Sequence, residues 1–136
     1  LGSLREALAY PETGDRFETA AMAAALDAVG LKRLASGLDD VERWDKKLSP
    51  DEQQALAFAR VLVHRPTWVV MDDATSGLDI THTRRVFEAL DTLPGATVIS
   101  LSRSEDLGGF FPRSIRLGRR PRISGWRSPR PIGAQG

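Results

Sequence analysis

The chain has 136 residues, 41% of them hydrophobic and 27% charged, which suits a single domain with a core of its own. It contains no cysteine, which excludes a disulfide framework and any thiolate metal site, and no stretch approaches the roughly 20 apolar residues that span a bilayer. The net charge of +1 conceals an asymmetry: residues 107 to 136 hold seven of the nineteen basic residues and none of the eighteen acidic ones, so residues 1 to 106 stand at −6.

In chain order, LGSLREALAY lacks the basic-then-apolar layout of a signal peptide, so cytosolic exposure is expected. Ser3 and Glu6 form a capping-box pattern ahead of a helix near 4 to 9. Asp15 and Glu18 stand in the same relation before an Ala-rich run that Gly30 ends, which predicts a helix over 17 to 29. Leu31, Leu34 and Leu38 give a short apolar face, and DDVERWDKK is a polar approach to the next helix. Ser49 as N-cap, Pro50 in the first turn and Glu52 completing the S-x-x-E box start that helix firmly. A buried strand over 67 to 71 is bounded by Pro66 and the SGLD turn, followed by a helix near 79 to 92. Pro94-Gly95 then turns the chain into a strand at 96 to 101, with a last strand expected at 114 to 117. His64 and His82 are expected at the surface. The Arg-, Pro- and Gly-rich end, from residue 118, has too little apolar content to order itself and is expected to be disordered. A basic segment with Trp126 among arginines also suits nucleic acid or anionic lipid, but no nucleic-acid-binding fold signal accompanies it.

The chemistry concentrates in VVMDDATSGLD, residues 69 to 79. Asp72 and Asp73 end an apolar strand, where open α/β sheets bind ligands. An ATPase needs one carboxylate there to hold Mg²⁺ through its water shell and a neighbour to orient or deprotonate the attacking water. The alternative is an Asp pair that caps the next turn, and the pair alone leaves both readings open.

LSPDEQQALAFAR, residues 48 to 60, has the form of the ABC-ATPase signature running into its helix. With LREALAYP at 4 to 11, Trp44, EQQ-LAFAR and ATS-LD in order, the chain resembles the C-terminal two thirds or so of an ABC transporter nucleotide-binding domain. It looks most like the ATPase segment of SbmA/BacA-like and fatty-acyl half-transporters, over roughly residues 1 to 117. The resemblance implies an α/β fold, a partial P-loop NTPase of ABC type: residues 1–48 as part of the helical subdomain, 49–117 as signature helix, Asp-bearing strand and end of the parallel core sheet, and 118–136 as tail. It implies ATP and Mg²⁺ as ligands. Two domains would pair head to tail, with Leu48, Ser49, Pro50, Asp51, Glu52 and Gln53 facing the partner's γ-phosphate. Asp72 would hold Mg²⁺ through water and Asp73 would be the base. Ser76, Gly77, Leu78 and Asp79 would form the turn at the dimer interface. A transmembrane domain would be the other partner, at the cytoplasmic face of the membrane, with no specific nucleic acid.

The chain departs from that pattern at four residues and in one missing loop. Asp51 stands where glycine is expected, and an Asp carboxylate ~4 Å from a phosphate charge is repelled by roughly 4 kcal/mol at an effective dielectric of 20. Pro50 removes one N–H donor. Asp73 replaces a glutamate, withdrawing the carboxylate by ~1.5 Å, where a base must come within about 2.6 to 3.2 Å of its water. Arg103 takes the place of the switch histidine; it can touch a γ-phosphate as a fixed charge but accepts no hydrogen bond. No G-x-x-x-x-G-K-[ST] loop occurs, since none of Lys32, Lys46 and Lys47 follows a glycine or precedes Ser or Thr. The leading expectation is therefore part of an ABC transporter ATPase domain, incomplete by itself. The alternative is a degenerate partner that dimerises with an intact ATPase and regulates it.

Overall fold

The structure, a computed structural model, describes residues 2–103 and 105–117; the expected disordered tail from residue 118, Trp126 included, lies outside the described residues. The first half is helical. A two-residue strand β1 (Gly2–Ser3) leads into helix α1 (Leu4–Ala9), whose start is the expected box: the Glu6 N–H donates to Ser3 Oγ and the Ser3 N–H to Glu6 Oε2. Helix α2 (Thr19–Ala28) departs from expectation. It begins two residues late, and Glu18 itself is the N-cap, with no side-chain hydrogen bond. Asp15 lies in a separate 3₁₀ turn, Gly14–Arg16, where a hydrogen bond with Thr13 occupies its carboxylate and holds it below its ordinary pKa. The local alternative outcompeted the cap, as short polar side chains allow. At its other end α2 closes in a Schellman motif: Gly30 at φ 84 lets its N–H reach Asp27 O at 3.0 Å while Leu31 N–H reaches Leu26 O at 2.7 Å.

Leu31, Leu34 and Leu38 are buried along the 3₁₀ turn Lys32–Gly37, as their spacing predicts. The polar approach is more ordered than its composition suggests. It carries β2 (Val41–Glu42), antiparallel to β1, and a one-turn helix α3 (Trp44–Lys47). Arg5 fastens this region by a forked pair with Asp39, at 2.6 and 3.1 Å, and reaches Thr19 on α2. The long helix α4 (Pro50–His64) packs against both α1 and α2, and Leu4, Leu8, Met22 and Leu26 at this junction are fully buried. His64 is no surface residue. Half-buried, it contacts Phe17 edge-on and bonds the Leu8 carbonyl at 3.2 Å, while Arg60 donates to the Ala7 carbonyl at 3.0 Å. Carbonyls in the last turn of α1 have no partner within their own helix, and α4 supplies them, so long-range geometry overrode a local reading.

The second half is a parallel unit. Strand β3 (Trp68–Asp72), helix α5 (Ile80–Asp91) and strand β4 (Thr97–Leu101) follow one another, with Trp68 opposite Thr97 and Asp72 opposite Leu101. Alternation splits β3 cleanly: Val69 and Met71 face the core, while Trp68 and Val70 are 63% and 66% exposed. Ile99 and Leu101 on β4 continue that exposed apolar face. Phe87 on α5 stacks on Phe110 at 4.8 Å and meets Phe111 edge-on at 5.2 Å, which brings the chain after β4 back over the helix. The strand expected at 114 to 117 does not form: Ile115 and Leu117 stand exposed in irregular backbone. Alternation supplies the face of a strand but not its hydrogen-bonding neighbour, and this segment pairs with neither β3 nor β4.

Candidate functional site

The carboxyl end of the parallel pair gathers the residues singled out by sequence. Asp72 is the last residue of β3, exposed, and makes no hydrogen bond or ion pair among the described residues. Asp73 takes the left-handed conformation at φ 47, tolerated by Asp better than by most residues, and this swings the chain out of the strand. Its N–H donates to Leu101 O at 2.9 Å, prolonging the ladder by one bond. Its carboxylate is met from two residues beyond the end of β4: the Arg103 N–H donates to Oδ1 at 3.4 Å and Arg103 Nε lies 3.8 Å from Oδ2. The two proposed catalytic positions, thirty residues apart in sequence, therefore share one contact, with Arg103 almost wholly exposed and Asp73 41% exposed.

Ser76, Gly77 and Leu78 follow in a tight turn, with Ser76 N–H on Asp73 O at 3.1 Å and Leu78 N–H on Thr75 O at 3.0 Å. Asp79 closes the turn as N-cap of α5, accepting from the His82 N–H at 2.8 Å and contacting His82 Nδ1 at 2.9 Å. Those bonds, the backbone one foremost, hold the Asp79 carboxyl below its ordinary range. His82 is exposed, as expected. Capping thus falls to Asp79; at the strand end Asp72 faces solvent and Asp73 faces Arg103, and neither caps the next helix.

The Ser49 turn, expected as the signature, carries the capping box its sequence implies. Glu52 N–H donates to Ser49 Oγ at 3.3 Å and Ser49 N–H to Glu52 Oε2 at 2.9 Å, with Pro50 opening α4. The Ser49 N–H first, and then the Arg33 guanidinium, keep the Glu52 carboxyl below its ordinary range. Asp51 is exposed in the first turn. Gln53 folds back, its amide donating to the carbonyls of Asp45 and Leu48 at 3.2 and 3.0 Å, which fixes the approach carrying Leu48.

Sequence reasoning missed three features. Gln54 reaches from α4 to donate to the Ala74 carbonyl, tying the signature helix to the turn after Asp73. The left-handed Asp73 was unread, although a polar residue between a strand and a tight turn is where such a conformation belongs. A shallow groove of about 390 Å³ lies between α1 and α3, lined by Glu6, Tyr10, Trp44, Asp45 and Arg60 among others, with the Trp44 indole N–H buried and unpaired.

No protein-family model matches the chain. Among curated proteins, an uncharacterized ABC transporter ATP-binding protein of Synechocystis sp. is 38% identical over 120 residues, 86% of this chain and 18% of its own length. One from Haemophilus influenzae is 36% identical over 117 residues, covering 85% of this chain and 20% of its own. ABC transporter D family member 2, chloroplastic, of Arabidopsis thaliana is 32% identical across 79% of the chain and 15% of its own length. Among solved structures, a bacterial Atm1-family ABC exporter with ATP bound superposes with a TM-score of 0.63 at 28% identity, over 76% of this chain and 19% of the exporter's. The chain therefore spans about a fifth of the length of these relatives. Sequence and fold together make the chain homologous to the ATP-binding proteins of ABC transporters, with the fold of one part of their ATP-binding domain.

Proposed function

We propose that this chain is the signature-and-carboxylate part of an ABC transporter ATPase domain, contributing ATP binding and hydrolysis that drive transport across a membrane. The observation that carries the reading is the convergence at one end of the parallel pair: Asp72 and Asp73 leave β3 where β4 delivers Arg103, and the capped signature helix is tied to the same turn. In this reading Asp72 would hold Mg²⁺ through water and Asp73 would orient the attacking water. Mg²⁺ keeps several waters and takes only one or two protein carboxylates beside the substrate's phosphates, which two adjacent strand-end carboxylates suit. Among the described residues, no group of three or more His, Cys, Asp or Glu offers an all-protein cage. When bound, the ion would neutralise phosphate charge. Ser49 and its turn would face the γ-phosphate held by a second ATPase domain in a head-to-tail dimer, with Asp79 near that interface. Among the described residues no helix is long and apolar enough to cross a membrane. The proposed partner is a transmembrane domain of the transporter, with this part at its cytoplasmic face.

A second reading, a degenerate partner that regulates an intact ATPase, is favoured by one contact: Arg103 sits against the carboxylate that hydrolysis needs turned toward water. Grafting residues 1 to 117 onto the N-terminal half of an intact relative restores the missing phosphate loop and tests both. The chimera is expected to bind Mg-ATP and hydrolyse it slowly. Asp73→Glu and Arg103→His should raise phosphate release, while Asp51→Gly should strengthen ATP-dependent dimerisation, read by light scattering. A folded chimera that binds no ATP refutes the first reading, and one already as fast as the intact relative refutes the second.

A further inference from the structure

Among the described residues, one side-chain hydrogen bond links the two halves of the site. Gln54 lies one residue beyond the capped first turn of α4, and its amide spans the turn that follows Asp73. Its Nε2 donates to the Ala74 carbonyl. Its Oε1 lies beside Gly77, where a Cβ would stand at 3.4 Å, an ordinary contact distance, so the amide lies against that part of the turn. Ala74 and Gly77 bracket the segment that carries the chain from the Asp72–Asp73 pair to the Asp79 cap. At the other end, helix geometry pairs the Gln54 N–H with the Pro50 carbonyl, inside the turn that Ser49 caps. Gln54 thus belongs by its backbone to the signature turn and by its side chain to the carboxylate turn. No other side chain of the signature turn is so placed: Gln53 faces the approach loop, Glu52 faces Arg33 and Ser49, and Asp51 faces solvent.

We propose that Gln54 is a positioning residue that transmits the state of the signature turn to the carboxylate turn. This rests on the ATPase reading for its purpose. Ordering of the Ser49 turn against one nucleotide would fix the Ala74–Gly77 backbone, and through it the carboxylates serving the other nucleotide. Half-burial suits the task, since the amide is shielded enough from water to hold its bond.

The physical claim can be tested on the full chain without nucleotide. Ser49→Ala removes the cap of α4, and backbone amide exchange of Ser76 and Leu78, with the carbonyl ¹³C shift of Ala74, reads the other end. With Gln54 present, Ser49→Ala should shift the Ala74 carbonyl signal and speed exchange at Ser76 and Leu78, by up to roughly fivefold, the population change that loss of a cap brings. In a Gln54→Leu background, which keeps the bulk but donates nothing, Ser49→Ala should leave those readouts unmoved. Gln54→Glu keeps the length and the oxygen beside Gly77 without a donor. It should block transmission in the same way, and it supplies the answer if the leucine variant does not fold. A residue that merely stabilised the turn would change the readouts when replaced but would not gate the effect of Ser49. Equal responses with and without Gln54, or no response at Ala74, Ser76 and Leu78 in the wild-type background, would overturn the proposal. Because no arm uses ATP, such a failure leaves the ATPase reading to its own test in the chimera.

Discussion

Val69 and Val70 are neighbours on β3 with the same side chain, and the fold assigns them opposite environments, 6% and 66% exposed. Replacing each in turn by Thr keeps the β-branch and the strand preference, so the comparison reads burial rather than propensity. At 69 the hydroxyl enters the apolar layer with Met71, and a buried hydroxyl without a partner costs about 1–3 kcal/mol in proteins. At 70 the hydroxyl meets water, and the change should stay within about 0.5 kcal/mol. Urea unfolding should therefore show a clearly lower midpoint for Val69→Thr and a nearly unchanged one for Val70→Thr, at a common slope. Parallel sheets are ordinarily covered on both faces, so the result also reports on the face of Trp68, Val70, Ile99 and Leu101. If Val70→Thr costs as much as Val69→Thr, that face is covered in solution and the assignment of one bare and one buried face is refuted.

Titration with Mg-ATP should give no micromolar, magnesium-dependent isotherm for this chain by itself, because it contains no glycine-rich loop ending in Lys-Ser or Lys-Thr; a clear isotherm would show the site to be misread. Arg103→Ala should leave stability within about 0.5 kcal/mol, since the pair with Asp73 is solvent-exposed at the arginine, and a larger loss in urea would mean that the contact is structural. His64→Ala should cost about 1–3 kcal/mol by leaving the Leu8 carbonyl short of a partner and removing the contact with Phe17, and an unchanged midpoint would count against the half-buried placement. Glu52 carries a pH dependence. Its folded pKa is depressed, so its stabilisation is present above the ordinary carboxylate range and is lost as pH falls through the folded value. The stability gap between wild type and Glu52→Gln should be widest near neutrality and shrink in acid; a gap that widens in acid would reverse the assignment.

Signals that act within one turn of chain were legible in the sequence. The boxes at Ser3 and Ser49, the Gly30 terminus, the leucine face at 31, 34 and 38 and the Pro94-Gly95 turn all rest on contacts between residues a few positions apart. Two of the three misreadings arose where a distant element decided. Asp15 was lost to a local bond with Thr13, but His64 was claimed by α1 across fifty-six residues, and 114 to 117 failed as a strand for want of a neighbour.

The site divides along the same line. Asp72, Asp73 and the Ser49 turn could be found by pattern, because strand ends and helix caps have sequence signatures. What each carboxylate faces could not, since Arg103 reaches Asp73 only through the parallel register that sets Asp72 opposite Leu101. That register gives the substitutions at 73 and 103 a joint meaning. A shorter carboxylate at 73 turns toward β4 in the left-handed conformation, and the residue two positions beyond Leu101 presents both a backbone N–H and a guanidinium to it. In the proposed reading, each change taken separately weakens a catalytic position. Taken together they form a contact, so reverting one alone strands the other: Asp73→Glu leaves Arg103 to pull on a longer carboxylate, and Arg103→His leaves Asp73 without its charge partner. In the chimera the two reversions should therefore be non-additive in phosphate release, with the double variant exceeding the product of the single gains. Independent effects would mean that the Asp73–Arg103 contact has no part in the chemistry.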